Sequence, residues 1–148
     1  MNHERHGTHE TSNGFTPRLR LDSPLDSKTE SIVTRTIGCA IEVHTRLGAG
    51  FLESIYRKAM CFELEEQGIS YECERAIAVP YRGRRIEGQR VDLVIEDRVI
   101  VELKAIARFD EIHRAQVISY LRATELRVGL LINFRVALLP HGLRRIVL

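Results

Sequence analysis

Two carboxylates and a lysine stand close together in the stretch RVDLVIEDRVIVELKA, residues 90–105, where Asp92, Glu102 and Lys104 interrupt two otherwise apolar runs. Side chains alternate along a strand, and directly opposed residues of an antiparallel pair share a face. With Glu96, Asp97 and Arg98 as a three-residue turn, Ile95 opposes Val99, Leu93 opposes Val101 and Asp92 opposes Glu102. One face is then Leu93, Ile95, Val99, Val101 and Leu103, and the other carries Asp92, Glu102 and Lys104 beside Val94 and Ile100. A two-residue turn at Asp97 and Arg98 would shift the pairing by one and set Asp92 among the core residues, at a desolvation cost of several kcal/mol if unpaired. Burial selects the three-residue turn.

That register puts the two carboxylates on Cβ atoms about 4.5–5.5 Å apart, where like charges destabilise a sheet. Lys104 supplies one compensating charge, and a divalent cation held between the carboxylates would supply more. Oxygen ligands of this kind suit Mg²⁺ or Mn²⁺, which take one or two carboxylates and keep several waters. The alternative is a charged cluster satisfied by water and ordinary ion pairs, each worth about 0–1 kcal/mol. Of the 22 basic residues only Lys28, Lys58 and Lys104 are lysines. A lysine in this hairpin fits a need for a compact ammonium where the planar guanidinium of Arg would not fit.

Elements on either side must hold the hairpin. Ser27 with Glu30 three residues on is a capping-box signature, and Ile32, Ile37, Ala40, Ile41 and Val43 follow as a helix until Gly48. A second helix is expected from Phe51 to Gln67, with Leu52, Ile55, Ala59, Phe62 and Leu64 as its apolar face and Gly68 as its stop. Extended segments follow at Ser70–Glu74, Ala76–Tyr81, Ile86–Ile95 and Val99–Lys104, then a helix at Asp110–Thr124, a strand at Arg127–Asn133 and another at Leu143–Leu148. Hairpin links give antiparallel neighbours and a helical crossover returns a parallel strand, so the layout is α/β with a central mixed sheet flanked by helices.

The spacing Asp-x9-Glu-x-Lys resembles the core motif of the PD-(D/E)xK nuclease superfamily, whose helix-strand-strand-strand-helix-strand order is similar to Phe51–Asn133. Gly50, Glu53 and Tyr56 reproduce the GxxExxY signature of the GxxExxY protein family, and Gln116 with Tyr120 gives the QxxxY motif of exonuclease-type members. IVELKA and LLINF also resemble that family's strands, so the similarity covers about Lys28–Leu148. Val91 stands where many members have a proline that is not a ligand.

The resemblance implies a restriction-endonuclease-like core. It implies Asp92 and Glu102 as metal ligands with the backbone carbonyl of Leu103, and Lys104 as the group that orients or activates the attacking water. Glu53 is implied at the metal or just behind it, the alternative being an ordinary i,i+4 pair with Arg57. His113, Gln116 and Tyr120 share one helical stripe that the superfamily turns toward the catalytic strands. They, with Tyr56, are implied to contact the nucleic-acid backbone or brace the site, the alternative for the stripe being a solvated face.

Arg82, Arg84, Arg85 and Arg90, with Arg108 and Arg114, form a basic rim that would neutralise phosphates or simply be solvated. The chain as a whole carries a net charge of only +2, so any nucleic-acid contact is local. Its 148 residues suit one domain, expected at 27–148, behind a polar tail at 1–26 in which His3, His6 and His9 either bind a metal or are incidental. Cys39, Cys61 and Cys73, without CxxC spacing, read as small core residues in a reducing cytoplasm, and no apolar run is long enough to span a membrane. The expectation is a Mg²⁺- or Mn²⁺-dependent nuclease acting on DNA ahead of RNA. Its rival is an inactive module of the same fold that binds nucleic acid or a protein partner.

Overall fold

The computed structural model describes residues 23–148; His3, His6 and His9, with most of the expected tail, lie outside the described residues. The elements are α1 (Ser27–Leu47), α2 (Glu53–Glu66), β1 (Tyr71–Tyr81), β2 (Arg84–Ile95), β3 (Val99–Lys104), α3 (Glu111–Thr124), β4 (Val128–Asn133) and β5 (Leu143–Val147). The sheet order is β1-β2-β3-β4-β5. Tight turns make β1, β2 and β3 an antiparallel meander, α3 carries the chain back so that β4 runs parallel to β3, and β5 returns antiparallel.

The alternation of β2 and β3 divides the core in two. Leu93, Ile95, Val99, Val101 and Leu103 join Val33, Ala40, Val43, Met60 and Leu64 on the face covered by α1 and α2. Val94 and Ile100 join Val117, Tyr120 and Leu121 on the face covered by α3. Gly129 lets α3 come close: a Cβ there would meet Val117 Cγ1 at 2.5 Å.

The helices start and turn differently from expectation. Asp26, not Ser27, caps α1 and accepts from the Thr29 N–H at 2.7 Å, which frees Glu30 for an ion pair with Arg145 of β5. That guanidinium and the Ser23 hydroxyl hold the Glu30 carboxyl down at about 2. Leu25, ahead of the expected boundary, already belongs to the core.

For α2 the buried stripe is Tyr56, Met60 and Leu64, while Leu52 (74 % exposed), Ile55 (40 %) and Phe62 (66 %) face outward. Both stripes have helical spacing. The rotation is settled by Tyr56, which stacks on Phe134 with ring centroids 4.4 Å apart and donates to the Gly48 carbonyl at 2.5 Å.

The two segments expected at 70–74 and 76–81 are one strand, β1. Its ladder with β2 skips the step between Cys73–Leu93 and Arg75–Val91, where Glu74 has φ 51°. The register is the same on both sides of this break and shifts, at a bulge, only between Ile77 and Val79; Val91 packs on the α3 side together with Val94.

Candidate active site

The turn between β2 and β3 is the three-residue one, closed by the Arg98 N–H donating to the Ile95 carbonyl at 2.9 Å. The ladder pairs Ile95 with Val99, Val94 with Ile100 and Leu93 with Val101, and then stops. One step further the side chains take over. The Asp92 N–H donates to Glu102 Oε1 at 3.0 Å, and the Leu103 N–H donates to Asp92 Oδ2 at 2.8 Å. The two strands separate here, and the gap is lined by carboxylates.

Glu102 is 5 % exposed. Burial, then the neighbouring Asp92 carboxylate, pushes its carboxyl up to about 8, against the opposing pull of Lys104. Glu53, in the first turn of α2, reaches the same charges from the other layer. Burial and Asp92 raise its carboxyl, while Lys104 and Arg57 lower it. Three carboxylates thus converge on a region whose cations are Lys104 and Arg57.

Arg57 does not take up the helical pair with Glu53. Its Nη1 stands 3.4 Å from Asp92 Oδ1, and its Nη2 stands 3.6 Å from Glu74 Oε1. The left-handed backbone at Glu74 coincides with the skipped ladder step, so the irregularity in β1 sits beside the residue that faces Asp92. Backbone strain of this kind in a non-glycine residue persists only where its surroundings enforce it.

From α3, Gln116 Oε1 accepts from Lys104 Nζ at 3.2 Å and so fixes the ammonium beside Glu102. Tyr120 is buried, and its hydroxyl accepts from Gln89 Nε2 at 2.8 Å. Burial and the Glu102 charge raise the Tyr120 phenol above its ordinary range. His113 uses Nδ1 to accept the Asp110 N–H at 2.9 Å, completing the capping box that starts α3. Gln89, Lys104, Ile112, His113, Gln116 and Tyr120 line an open groove of about 510 Å³.

Tyr56 lies apart from this groove, fully buried under the loop that leads into α2, with its hydroxyl also accepting from the Phe51 N–H at 3.1 Å. It braces that loop, and its burial leaves no surface for a nucleic acid. Asn133, at the end of β4, was not expected in the site. It is buried and clasps the segment after Lys104, accepting from the Ile106 N–H at 3.1 Å and donating to the Ile106 carbonyl at 2.9 Å. Gln89, Arg57 and Glu74 were also missed. Their placement depends on a bulge and a helix rotation that spacing does not encode, whereas a lone polar residue ending the apolar run LLIN was a readable signal for Asn133.

Among the described residues no three His, Cys, Asp or Glu side chains form a closed metal cage. The donor set is instead two carboxylates, each with one oxygen held by a backbone N–H, with the Leu103 backbone beside them and Glu53 set back. Such a set fits a hard cation that keeps much of its water shell, as Mg²⁺ does, and it does not fit tetrahedral zinc.

No curated protein and no solved structure gives a significant match to the chain. The profile of the PD-(D/E)XK nuclease superfamily matches residues 30–146, a span that runs from the first turn of α1 to within β5. With that match, over a mixed sheet flanked by helices, the chain belongs to the PD-(D/E)XK nuclease superfamily.

Proposed function

We propose that this protein is a Mg²⁺- or Mn²⁺-dependent nuclease that hydrolyses phosphodiester bonds in DNA. The observation that carries the reading is the ammonium of Lys104, held at 3.2 Å by Gln116 beside a carboxylate pair that is itself fixed to the backbone. A pure binding surface gains nothing from a buried carboxylate pressed against another.

Asp92 and Glu102 would hold the ion through the oxygens not engaged by the Leu103 and Asp92 amides, with the Leu103 carbonyl as a further ligand and Glu53 acting through water. The ion would lower the pKa of the attacking water and offset charge building on the phosphate oxygens. Lys104 has three N–H donors, and Gln116 takes one of them, leaving the others for the attacking oxygen and a phosphate oxygen. Tyr120, through Gln89, and Gln116 set the walls along which the substrate backbone runs. Gly50, Glu53 and Tyr56 support the finer placement in the GxxExxY group, acting in a reducing cytosol; the cysteines are free thiols, but only Cys39 is a core residue as expected, Cys61 being half-buried and Cys73 exposed on β1.

The test is cleavage of plasmid, single-stranded DNA and RNA by the purified chain with Mg²⁺ or Mn²⁺, alongside Glu102→Gln. Metal-dependent cleavage of DNA that the variant lacks is expected. A wild-type protein that binds the ion by calorimetry and cuts none of these substrates overturns the reading in favour of a non-catalytic binding module.

A further inference from the structure

β2 pairs with β3 only over Leu93–Ile95, yet it pairs with β1 back to Arg84. Among the described residues the outer part of β1 and β2 is therefore a two-stranded arm with no third strand beside it. A two-residue turn ends the arm, with φ 49° at Arg82 and 76° at Gly83. Positive φ at both positions is the type I′ geometry that keeps a hairpin tip narrow. Every residue of β2 from Arg84 to Arg90 is exposed.

The base of the arm is fixed to the candidate site through the Gln89–Tyr120 hydrogen bond and through Ile77, which is buried in the cluster under α3. One face of the ribbon leans toward the end of α3, with Pro80 and Arg85 across a shallow cleft from Arg122 and Thr124. The other face and the tip are open, exposing Tyr81 (61 %) and Ile86 (53 %).

The arm is unbalanced in charge. Residues 77–90 hold four arginines, Arg82, Arg84, Arg85 and Arg90, against the single acidic residue Glu87. Among the described residues the arginines in ion pairs are Arg46, Arg57, Arg75, Arg98 and Arg145, none of them on the arm. Clustered like charges on one ribbon repel unless a polyanion lies against them.

We infer that this arm lies in the major groove of duplex DNA next to the cleavage site, so that the substrate is a double strand. The inference rests on the nuclease reading for its setting. Two strands about 4.8 Å apart, with side chains on both faces, match a B-form major groove about 12 Å wide. The deep, narrow major groove of A-form RNA excludes such a ribbon. Single strands are held by stacking on several aromatic rings, and the arm offers Tyr81 alone. From Asp92 to Arg84 the strand spans at most about 26 Å at ~3.3 Å per residue. At about 3.4 Å per base pair, the tip contacts phosphates within roughly eight base pairs of the cut.

The experiment measures binding of the full chain, without metal, to a 30-base-pair DNA duplex, the matching single strand and the matching RNA duplex. It compares wild type, Arg82→Ala/Arg84→Ala/Arg85→Ala, and the corresponding triple Lys variant, each checked for an unchanged melting temperature. Wild type is expected to bind the DNA duplex at least tenfold tighter than the other two. The Ala variant should lose at least tenfold on the duplex, with a salt slope shallower by about 2 to 3, and the Lys variant should keep most of the affinity. With metal, the kcat of the Ala variant on saturating duplex stays at the wild-type value while its KM rises. Equal duplex binding by the Ala variant, or wild-type preference for single strand or RNA, overturns the inference. Arm-dependent duplex binding without any cleavage keeps it and removes the nuclease reading instead, and cleavage indifferent to the arm does the reverse.

Discussion

Asp92 and Glu102 each hold a backbone amide of the strand across the gap: the Asp92 N–H donates to Glu102 Oε1 at 3.0 Å, and Asp92 Oδ2 accepts from Leu103 at 2.8 Å. The candidate ligands are therefore also the pieces that finish the β2–β3 ladder.

Substitution at 92 should separate these duties. Asp92→Ala leaves the Leu103 N–H unpaired in a buried strand and is expected to cost about 1–3 kcal/mol of stability as well as ion binding. Asp92→Asn keeps an acceptor for that amide, so it should retain most of the stability while binding Mg²⁺ weakly. Chemical denaturation together with calorimetry checks both, and an Ala variant as stable as the Asn variant would discount the structural duty.

The raised carboxyl of Glu102 predicts the pH dependence of the metal-free protein. Its folded value near 8 exceeds the ordinary 4.5, so the folded state keeps a proton that the unfolded chain has already lost. Its stabilising contribution is complete below about pH 4.5, shrinks as the pH rises, and is gone above about 8. The metal-free melting temperature should therefore carry a downward component between pH 5 and 8 that Glu102→Gln lacks. Below pH 8 ion binding must displace this proton, so apparent Mg²⁺ affinity should climb toward pH 8. Identical pH profiles for wild type and Glu102→Gln would refute the assignment.

Lys104→Ala should keep or raise ion affinity, because a cation near the ligands is gone, while cleavage falls about 100-fold or more. Gln116→Ala leaves the ammonium in place but loosened, and a smaller loss of kcat is expected. Single-turnover cleavage on a duplex decides this, and a Lys104→Ala protein as fast as wild type would remove Lys104 from the mechanism.

Arg57 stands where an incoming ion would be repelled, and among the described residues Asp92 Oδ1 has no other ion-pair partner. Arg57→Gln should bind Mg²⁺ about 3- to 10-fold tighter, on the scale of a charge interaction near 1 kcal/mol, and should melt lower without metal. Calorimetry and thermal melting at pH 8 give both numbers. Unchanged affinity would show that Arg57 does not act on the ion site.

The hairpin register was legible because the two-residue turn would have set the Asp92 charge among the core residues of the other face, whereas the three-residue turn keeps that face apolar. The face shared by Asp92, Glu102 and Lys104 follows from that register. What could not be read arises where regular pairing fails. The left-handed Glu74 interrupts the β1–β2 ladder beside Arg57, and no period of two or 3.6 encodes it. The rotation of α2 was misjudged for a related reason: Tyr56 and Met60 are poorer hydrophobes by type than Ile55 and Phe62, but Phe134, far along the chain, provides a ring to stack on. His113 was legible as part of a stripe, whereas its use as a helix cap depends on which side its ring turns.

The parallel pairing of β3 with β4 also sets the order in which the chain acquires its chemistry. β1, β2 and β3 join through local turns and can pair early, but Lys104 lies opposite Asn133 in a pairing that closes only after all of α3 has been made. During synthesis a chain that ends just before β4 therefore carries Asp92, Glu102, Lys104 and the helix with Gln116, but lacks both the Asn133 clasp and the strand against which α3 packs. On the nuclease reading, a nascent chain has no assembled site until its last strands emerge.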